Sequence, residues 1–312
     1  MEAIKKAVFL FDFTGIMAKP WADAGYLCYC FDGQHPLGVS KAGHENILNV
    51  GMWFSNEATG DISLSDVDKI KSIVGDSCDF VFGFPECTHL AVSGAAHFEK
   101  KKDYNPFFQD EAMILVKLVK LVGDEYGCKW ALENPISVIS SLWRKPDHMF
   151  HPYEYGGYLP VVDEHPIYPE YIKPRDAYPK KTCIWSGNGF FMPEKKPVNV
   201  EPGYSDQHKK LGGKSLKTKN IRSATPRGFS IAVFESNRGD LEPVDNWFDS
   251  NGWEPVQVGA QLLIDDIRAN AGKNGFIAGV IYVNPTAEGR ISLADEANKY
   301  ADSIRKAAKD GE

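Results

Sequence analysis

Asp79-Phe80-Val81-Phe82-Gly83-Phe84-Pro85-Glu86-Cys87 decides the fold. Its apolar run is too short for a buried helix and is closed by Gly83 and Pro85, the pattern of a strand covered on both faces. It delivers a cysteine to the loop just past its end. The pattern recurs upstream. Ala7-Val8-Phe9-Leu10-Phe11-Asp12-Phe13 predicts a first strand ending at Thr14-Gly15, Tyr26 to Phe31 a second closed by Asp32, and Asn46 to Phe54 a third. Pro20 to Ala24 carries proline in the first turn of a crossing helix, and Ser63 or Ser65 is placed to cap a helix running through Ile73. Downstream, Phe107 to Tyr126 leaves only a narrow polar face at Glu111, Lys117, Lys120 and Asp124, which predicts a largely buried helix. Lys129-Trp130-Ala131-Leu132 predicts another strand, with Glu133-Asn134-Pro135 at its carboxyl end. Short apolar strands alternating with helices specify an α/β fold with a mainly parallel sheet. Thr14-Gly15, Asp32, Asp61, Cys87 and Glu133 then share the sheet edge at which open α/β folds bind ligands.

Residues 144 to 220 change character. Pro, Tyr, Gly and His become dense, periodic segments vanish, and lysines gather at Lys209, Lys210, Lys214, Lys217 and Lys219, so an irregular insertion is expected. Helical periodicity returns at Arg227 to Ser236. The tail predicts a helix over Val256–Ala271, a strand over Phe276–Val283 and a helix over Ser292–Ala308. The expected organisation is a catalytic, cofactor-binding domain over 1–143, an insertion over 144–222, and a return to the catalytic domain with an α/β extension over 223–312.

With 312 residues and 43% of them hydrophobic, the chain has material for a sizeable core. The net charge of -7 argues against a protein that coats nucleic acid by overall charge, although it leaves room for a local basic groove. Cys28, Cys30, Cys78, Cys87, Cys128 and Cys183 form no CxxC pair, and the opening Met-Glu-Ala-Ile-Lys-Lys is unlike a signal peptide, which points to a reduced cytoplasm. No apolar stretch reaches the ~18 residues of a membrane span. His148 and His151 lack a carboxylate or thiol partner at ligand spacing, so no metal site is expected.

The motifs, in their order and spacing, resemble the cytosine-5 DNA methyltransferases, especially the compact forms found in phages. The resemblance covers roughly the first 190 residues plus Ser223 to Ala232. It implies a Rossmann-like, S-adenosylmethionine-dependent methyltransferase fold and, for a phage protein, residence in the host cytoplasm. Phe13-Thr14-Gly15-Ile16-Met17-Ala18 takes the place of the family's Phe-x-Gly-x-Gly-Gly loop around the amino-acid part of S-adenosylmethionine, without two of its glycines. Asp32 would bind the ribose hydroxyls, and Gly60-Asp61-Ile62 matches the block that contacts adenine. Phe84-Pro85-Glu86-Cys87-Thr88 matches the Pro-Cys nucleophile loop, with Glu86 and Thr88 replacing the family's Pro and Gln. Glu133-Asn134-Pro135 matches Glu-Asn-Val, Lys180-Lys181-Thr182-Cys183-Ile184-Trp185 the Gln-Arg-Arg segment, and Ser223-Ala224-Thr225-Pro226 the last cofactor-side motif. The implied catalytic residues are Cys87, Glu133 and Asn134. Phe13, Thr14, Gly15, Asp32, Asp61, Ile62 and Pro85 would line the cofactor, which is S-adenosylmethionine or a derivative of it. His89, Ser93, Lys181 and Thr182 would meet the substrate.

These residue types suit that chemistry. Carbon 5 of cytosine is too poor a nucleophile to take a methyl group until a thiolate adds at carbon 6. A turn position or a neighbouring Lys or Arg would lower the pKa of Cys87 and enlarge its thiolate fraction. A carboxylic acid at ring nitrogen 3, the role implied for Glu133, relieves the charge that the attack creates, and Asn134 orders the loop. A duplex base must be flipped out to be reached. The substrate is cytosine in DNA or, given the acidic chain, a free cytosine nucleotide. A catalytically silent decoy that binds nucleic acid or a host defence protein is the reading from another class. An NAD enzyme is disfavoured because the first turn lacks G-x-G-x-x-G.

Overall fold

The computed structural model describes residues 4–54, 62–201, 207, 210–212 and 215–239. Asp61 and the elements expected beyond residue 239 lie outside them, as do the side chains of Ile62, Ser63 and Ser65.

β1 (Lys6–Leu10), β2 (Leu27–Lys41), β3 (Ile47–Gly51), β4 (Phe80–Gly83), β5 (Lys129–Pro135), β6 (His148–Phe150) and β7 (Thr182–Gly187) form one sheet in the order β3-β2-β1-β4-β5-β7-β6. β2, β1, β4 and β5 run parallel, and β7 lies antiparallel between β5 and β6. This is an α/β fold with a mostly parallel sheet, compatible with a Rossmann-like arrangement. The chain order reverses between β1 and β4, the switch point at which a crevice opens beyond the strand ends.

Helices cover both faces, which is why the central strands read as almost unbroken apolar runs. Successive strand residues point to opposite sides. Val8, Leu10, Val81 and Leu132 therefore pack toward α2 (Ile62–Val74) and α4 (Phe108–Glu125) through Val67, Ile70, Val116 and Val119. Phe9, Phe80, Phe82 and Ala131 face the other way, onto Trp21 of α1 (Lys19–Asp23) and Phe229 and Val233 of α7 (Arg227–Asn237). α3 (Phe98–Tyr104), α5 (Ile139–Leu142) and α6 (Leu216–Ser223) lie in the connections.

Three elements depart from expectation. β1 stops at Leu10 because Phe11, at φ 61°, turns the chain away from the sheet. β2 does not close at Asp32. It pairs in parallel from Cys28↔Ile47 to Asp32↔Gly51, then returns along β3 in the reverse sense from Leu37↔Gly51 to Lys41↔Leu48. A Cβ at Gly51 would stand 1.9 Å from the Pro36 carbonyl oxygen, so the return requires glycine there. Third, the stretch expected to be irregular over 144–222 contributes β6 and β7 to the sheet and α6 beside it. Pairing with β7 also carries β5 past Leu132, so Glu133 and Asn134 are strand residues. Among the described residues, no helix is long and apolar enough to cross a membrane.

Candidate active site

Parallel pairing of β4 with β5, through Gly83↔Leu132, brings the cysteine loop and the Glu133-Asn134 segment to the same edge. Hydrogen bonds then lock the two together. The buried Asn134 donates its Nδ2 to the Pro85 carbonyl at 2.9 Å. Beyond it, the Val92 amide donates to the Ile136 carbonyl at 3.0 Å and the Val138 amide to the Leu90 carbonyl at 2.9 Å. The Cys87 carbonyl itself accepts from the amides of Leu90 and Ala91, at 3.0 and 2.8 Å. Cys87 is the one partly exposed thiol, whereas Cys28, Cys30, Cys78, Cys128 and Cys183 are buried.

Burial raises the pKa of Cys87, the neighbouring charge of Glu133 raises it further, and the Lys180 ammonium pulls the other way. This corrects the expectation of a lowered pKa. The segment after Cys87 is a turn rather than a helix N-terminus, and two carboxylates, Glu133 and Glu86, outweigh the one lysine. Burial raises Glu133 as well, again against Lys180. The charge of Glu133 opposes the Cys87 thiolate, so protonation of Glu133 favours that thiolate.

Lysines from two helices hold the residues on either side of Cys87. Lys219 of α6 lies 3.5 Å from the Glu86 carboxylate, and Lys101 of α3 donates to the Thr88 carbonyl at 2.6 Å. His89 packs at the edge of the Phe108 ring, its Nδ1 is buried without a partner, and burial with the charge of Lys101 lowers its pKa. Ser93 is exposed in the 3-10 turn Val92–His97. Lys181 is exposed, while Thr182 is buried and donates its hydroxyl to the Lys180 carbonyl at 3.1 Å. Lys180, not Lys181, acts on both Cys87 and Glu133, and it donates its Nζ to the Arg222 carbonyl at 2.9 Å.

Across the switch point, the loop after β1 is organised by a residue that the motifs did not single out. Asp12 is buried, and its Oδ1 accepts from the amides of Thr14 and Gly15, at 3.1 and 2.9 Å, and from the Thr14 hydroxyl at 3.1 Å. Its Oδ2 is buried without a partner, and burial pushes the carboxyl pKa up to about 6. Gly15 takes φ 65°, and the Phe13 ring lies 5.4 Å from that of His35, whose Nε2 is 3.3 Å from the Asp12 carbonyl. Burial also raises the Asp32 carboxyl, although it accepts from the Gln34 amide at 2.7 Å. Ser230 of α7 donates to the Ile16 carbonyl at 2.8 Å and ties the same loop from the far side. Asp12-x-Thr-Gly has the side-chain-to-backbone turn chemistry that could have drawn attention to it. Lys180, Lys101 and Lys219 are ordinary surface lysines until tertiary contacts place them.

Among the described residues, no group of three or more His, Cys, Asp or Glu side chains is arranged to hold a metal ion. No family model matches the sequence, and no curated protein matches it. The likeness to cytosine-5 methyltransferases therefore rests on the order and spacing of the motifs.

Proposed function

We propose that this protein modifies carbon 5 of cytosine in DNA through a covalent adduct with Cys87, most simply by methyl transfer. The observation that carries the reading is a partly exposed thiol in the loop after β4 and a carboxyl group of raised pKa on the adjacent parallel strand β5, beside one shared lysine. The Cys87 thiolate adds to carbon 6, and the electron pair of the carbon 5–carbon 6 double bond moves into the ring. Protonated Glu133 donates to nitrogen 3 and offsets that charge, while Lys180 stabilises the carboxylate left behind. Once carbon 5 has taken up the new group, its proton passes to solvent water, the carbon 5–carbon 6 double bond re-forms, Cys87 leaves as thiolate, and nitrogen 3 returns its proton to Glu133. Asn134 takes no part in bond making. It fixes the Pro85 carbonyl and hence the approach of the thiol.

Bound S-adenosylmethionine, or a derivative of it, would supply the electrophilic carbon. The residues at the switch point fit such a group. The unpartnered Asp12 Oδ2 suits an amino group, Asp32 suits vicinal hydroxyls, and the Phe13 ring is 39% exposed beside them.

The test combines labelled S-adenosylmethionine with DNA, and separately with deoxycytidine nucleotides, followed by mass spectrometry of the nucleosides. Label on carbon 5 of cytosine is expected, and label in neither pool sinks the reading. A 5-fluorocytosine oligonucleotide is expected to leave a trapped adduct that Cys87→Ser cannot form.

A further inference from the structure

Lys180 acts on both Cys87 and Glu133, and a lysine ammonium on its four-carbon stem keeps one place only where an acceptor holds it. That acceptor is the Arg222 carbonyl, at 2.9 Å. The last four carbonyls of a helix have no partner inside it. Arg222 lies in the last turn of α6, and Lys180 caps that end. The place of Lys180 therefore follows the place of α6. With eight residues, α6 is too short to be stable alone, so its contacts set its position. Ser215 caps it through the Thr218 amide at 3.2 Å, and Thr218 and Ile221, about one turn apart, are buried. On another side the Asn220 Nδ2 donates to the Gln34 Oε1 at 3.0 Å, across 186 residues of sequence. Gln34 stands at the bend where β2 turns back along β3, and its amide donates to the Asp32 carboxylate at 2.7 Å. A continuous set of contacts runs from Asp32 through Gln34 and α6 to Lys180.

We infer that Asn220 is a positioning residue for Cys87: by tying α6 to the bend of β2 it holds Lys180 beside the thiol, so that the reactivity of the nucleophile depends on that bend. Its bearing on catalysis rests on the reading of Cys87 as the nucleophile toward cytosine. The charged groups that act on the thiol are Glu133 from β5, Glu86 from its own loop and Lys180 from the segment before β7. Of these three, Lys180 alone favours the thiolate, so loosening it moves the thiol in one direction, upward. Lys219 of α6 also lies 3.5 Å from Glu86, but that pair is exposed and screened by solvent, and it contributes little.

The experiment follows iodoacetamide alkylation of Cys87 in the full chain against pH, read by peptide mass spectrometry. The parent is compared with Asn220→Ala, Gln34→Ala and Lys180→Gln, and with the double variants that add Asn220→Ala or Gln34→Ala to Lys180→Gln. Asn220→Ala and Gln34→Ala remove the same hydrogen bond from its two sides. Each is expected to shift the profile to higher pH, in the sense of Lys180→Gln and by less. A shift of about 0.3 of a pH unit reads as about twofold slower alkylation below the midpoint. In the Lys180→Gln background neither should add to the shift, because the residue through which they act is gone. Lys217→Gln removes a cation that lies over the Tyr171 ring on the same helix and is the control. Its profile and the melting temperatures should stay with the parent. A profile unmoved by both single variants, a shift to lower pH, a full shift retained in the Lys180→Gln background, or an equal shift in Lys217→Gln would each overturn the inference. Failure of the underlying reading shows elsewhere: native protein that forms no adduct with a 5-fluorocytosine oligonucleotide removes the role of Cys87 toward cytosine, whatever the alkylation profiles do.

Discussion

Glu133 and Lys180 act on the Cys87 thiol in opposite senses, so substitution of either neighbour must move that thiol in a known direction. Glu133 raises Cys87 and Lys180 lowers it. Glu133→Gln is therefore expected to shift the alkylation profile of Cys87 to lower pH, and Lys180→Gln to shift it to higher pH. The other five thiols are buried, so iodoacetamide labelling of the folded protein followed by peptide mass spectrometry reads this one site. Shifts of the same sign would refute the pairing. Asp12 gives a second prediction at this scale. Its folded-state carboxyl is raised to about 6 from the ordinary aspartate value of 3.8, so the folded protein binds the extra proton between those limits. Its stabilising contribution is full below about pH 4 and is lost as pH rises through about 6. The loss is on the order of 3 kcal/mol, because each pKa unit is worth about 1.4 kcal/mol. Asp12→Asn keeps an oxygen for the Thr14 and Gly15 amides and removes the titration. The stability of the variant relative to the parent should therefore rise by that order between pH 4 and pH 7 in urea unfolding.

At the scale of the element, Gly83 shows how closely β4 lies against α4. A Cβ there would stand 2.3 Å from one Val119 methyl and 3.0 Å from the other. Gly83→Ala is expected to destabilise the fold by about 1–3 kcal/mol through overpacking. Adding Val119→Ala opens the space, so the double variant should lose less than the sum of the singles, and additivity would show that the two positions do not touch. The position also feeds the site, since Gly83 is the last residue before the loop that carries Cys87. Part of the loss should appear as slower adduct formation with 5-fluorocytosine DNA.

At the scale of the whole molecule, one ion cluster bolts the excursion between β6 and β7 to the rest. Arg227, at the start of α7, makes a forked pair with Asp163 at 2.7 and 2.6 Å and lies 3.7 Å from Asp176. Asp176 also accepts from the Gly228 amide at 3.0 Å. Both carboxylates are almost fully enclosed, and burial pushes Asp176 up to about 6 while Arg227 holds Asp163 low. Arg227→Met leaves two buried acids without their cation, which should cost about 3–5 kcal/mol. A loss under about 1 kcal/mol in urea unfolding would mean that the excursion is held by its apolar contacts instead. Because α7 also holds the Ile16 carbonyl through Ser230, the loop after β1 should loosen with it.

The sequence by itself determined the alternation of strand and helix and the residues that sit at strand ends. Strands buried on both faces, such as Phe80–Gly83, must be apolar throughout, and that is visible in one dimension. It also placed Cys87 and Glu133 as the pair worth watching. Tertiary structure decided the rest. β6 is three residues long, too short to carry a periodicity of its own, and the two strands form because β5 offers an edge to β7 and β7 offers one to β6. Asp12 is an unremarkable acid until burial removes its solvent. Lys180 and Lys181 are adjacent and chemically alike, yet only the fold sets Lys180 beside Cys87 and Glu133. Charges act through distance and desolvation, and a linear order of residues records neither.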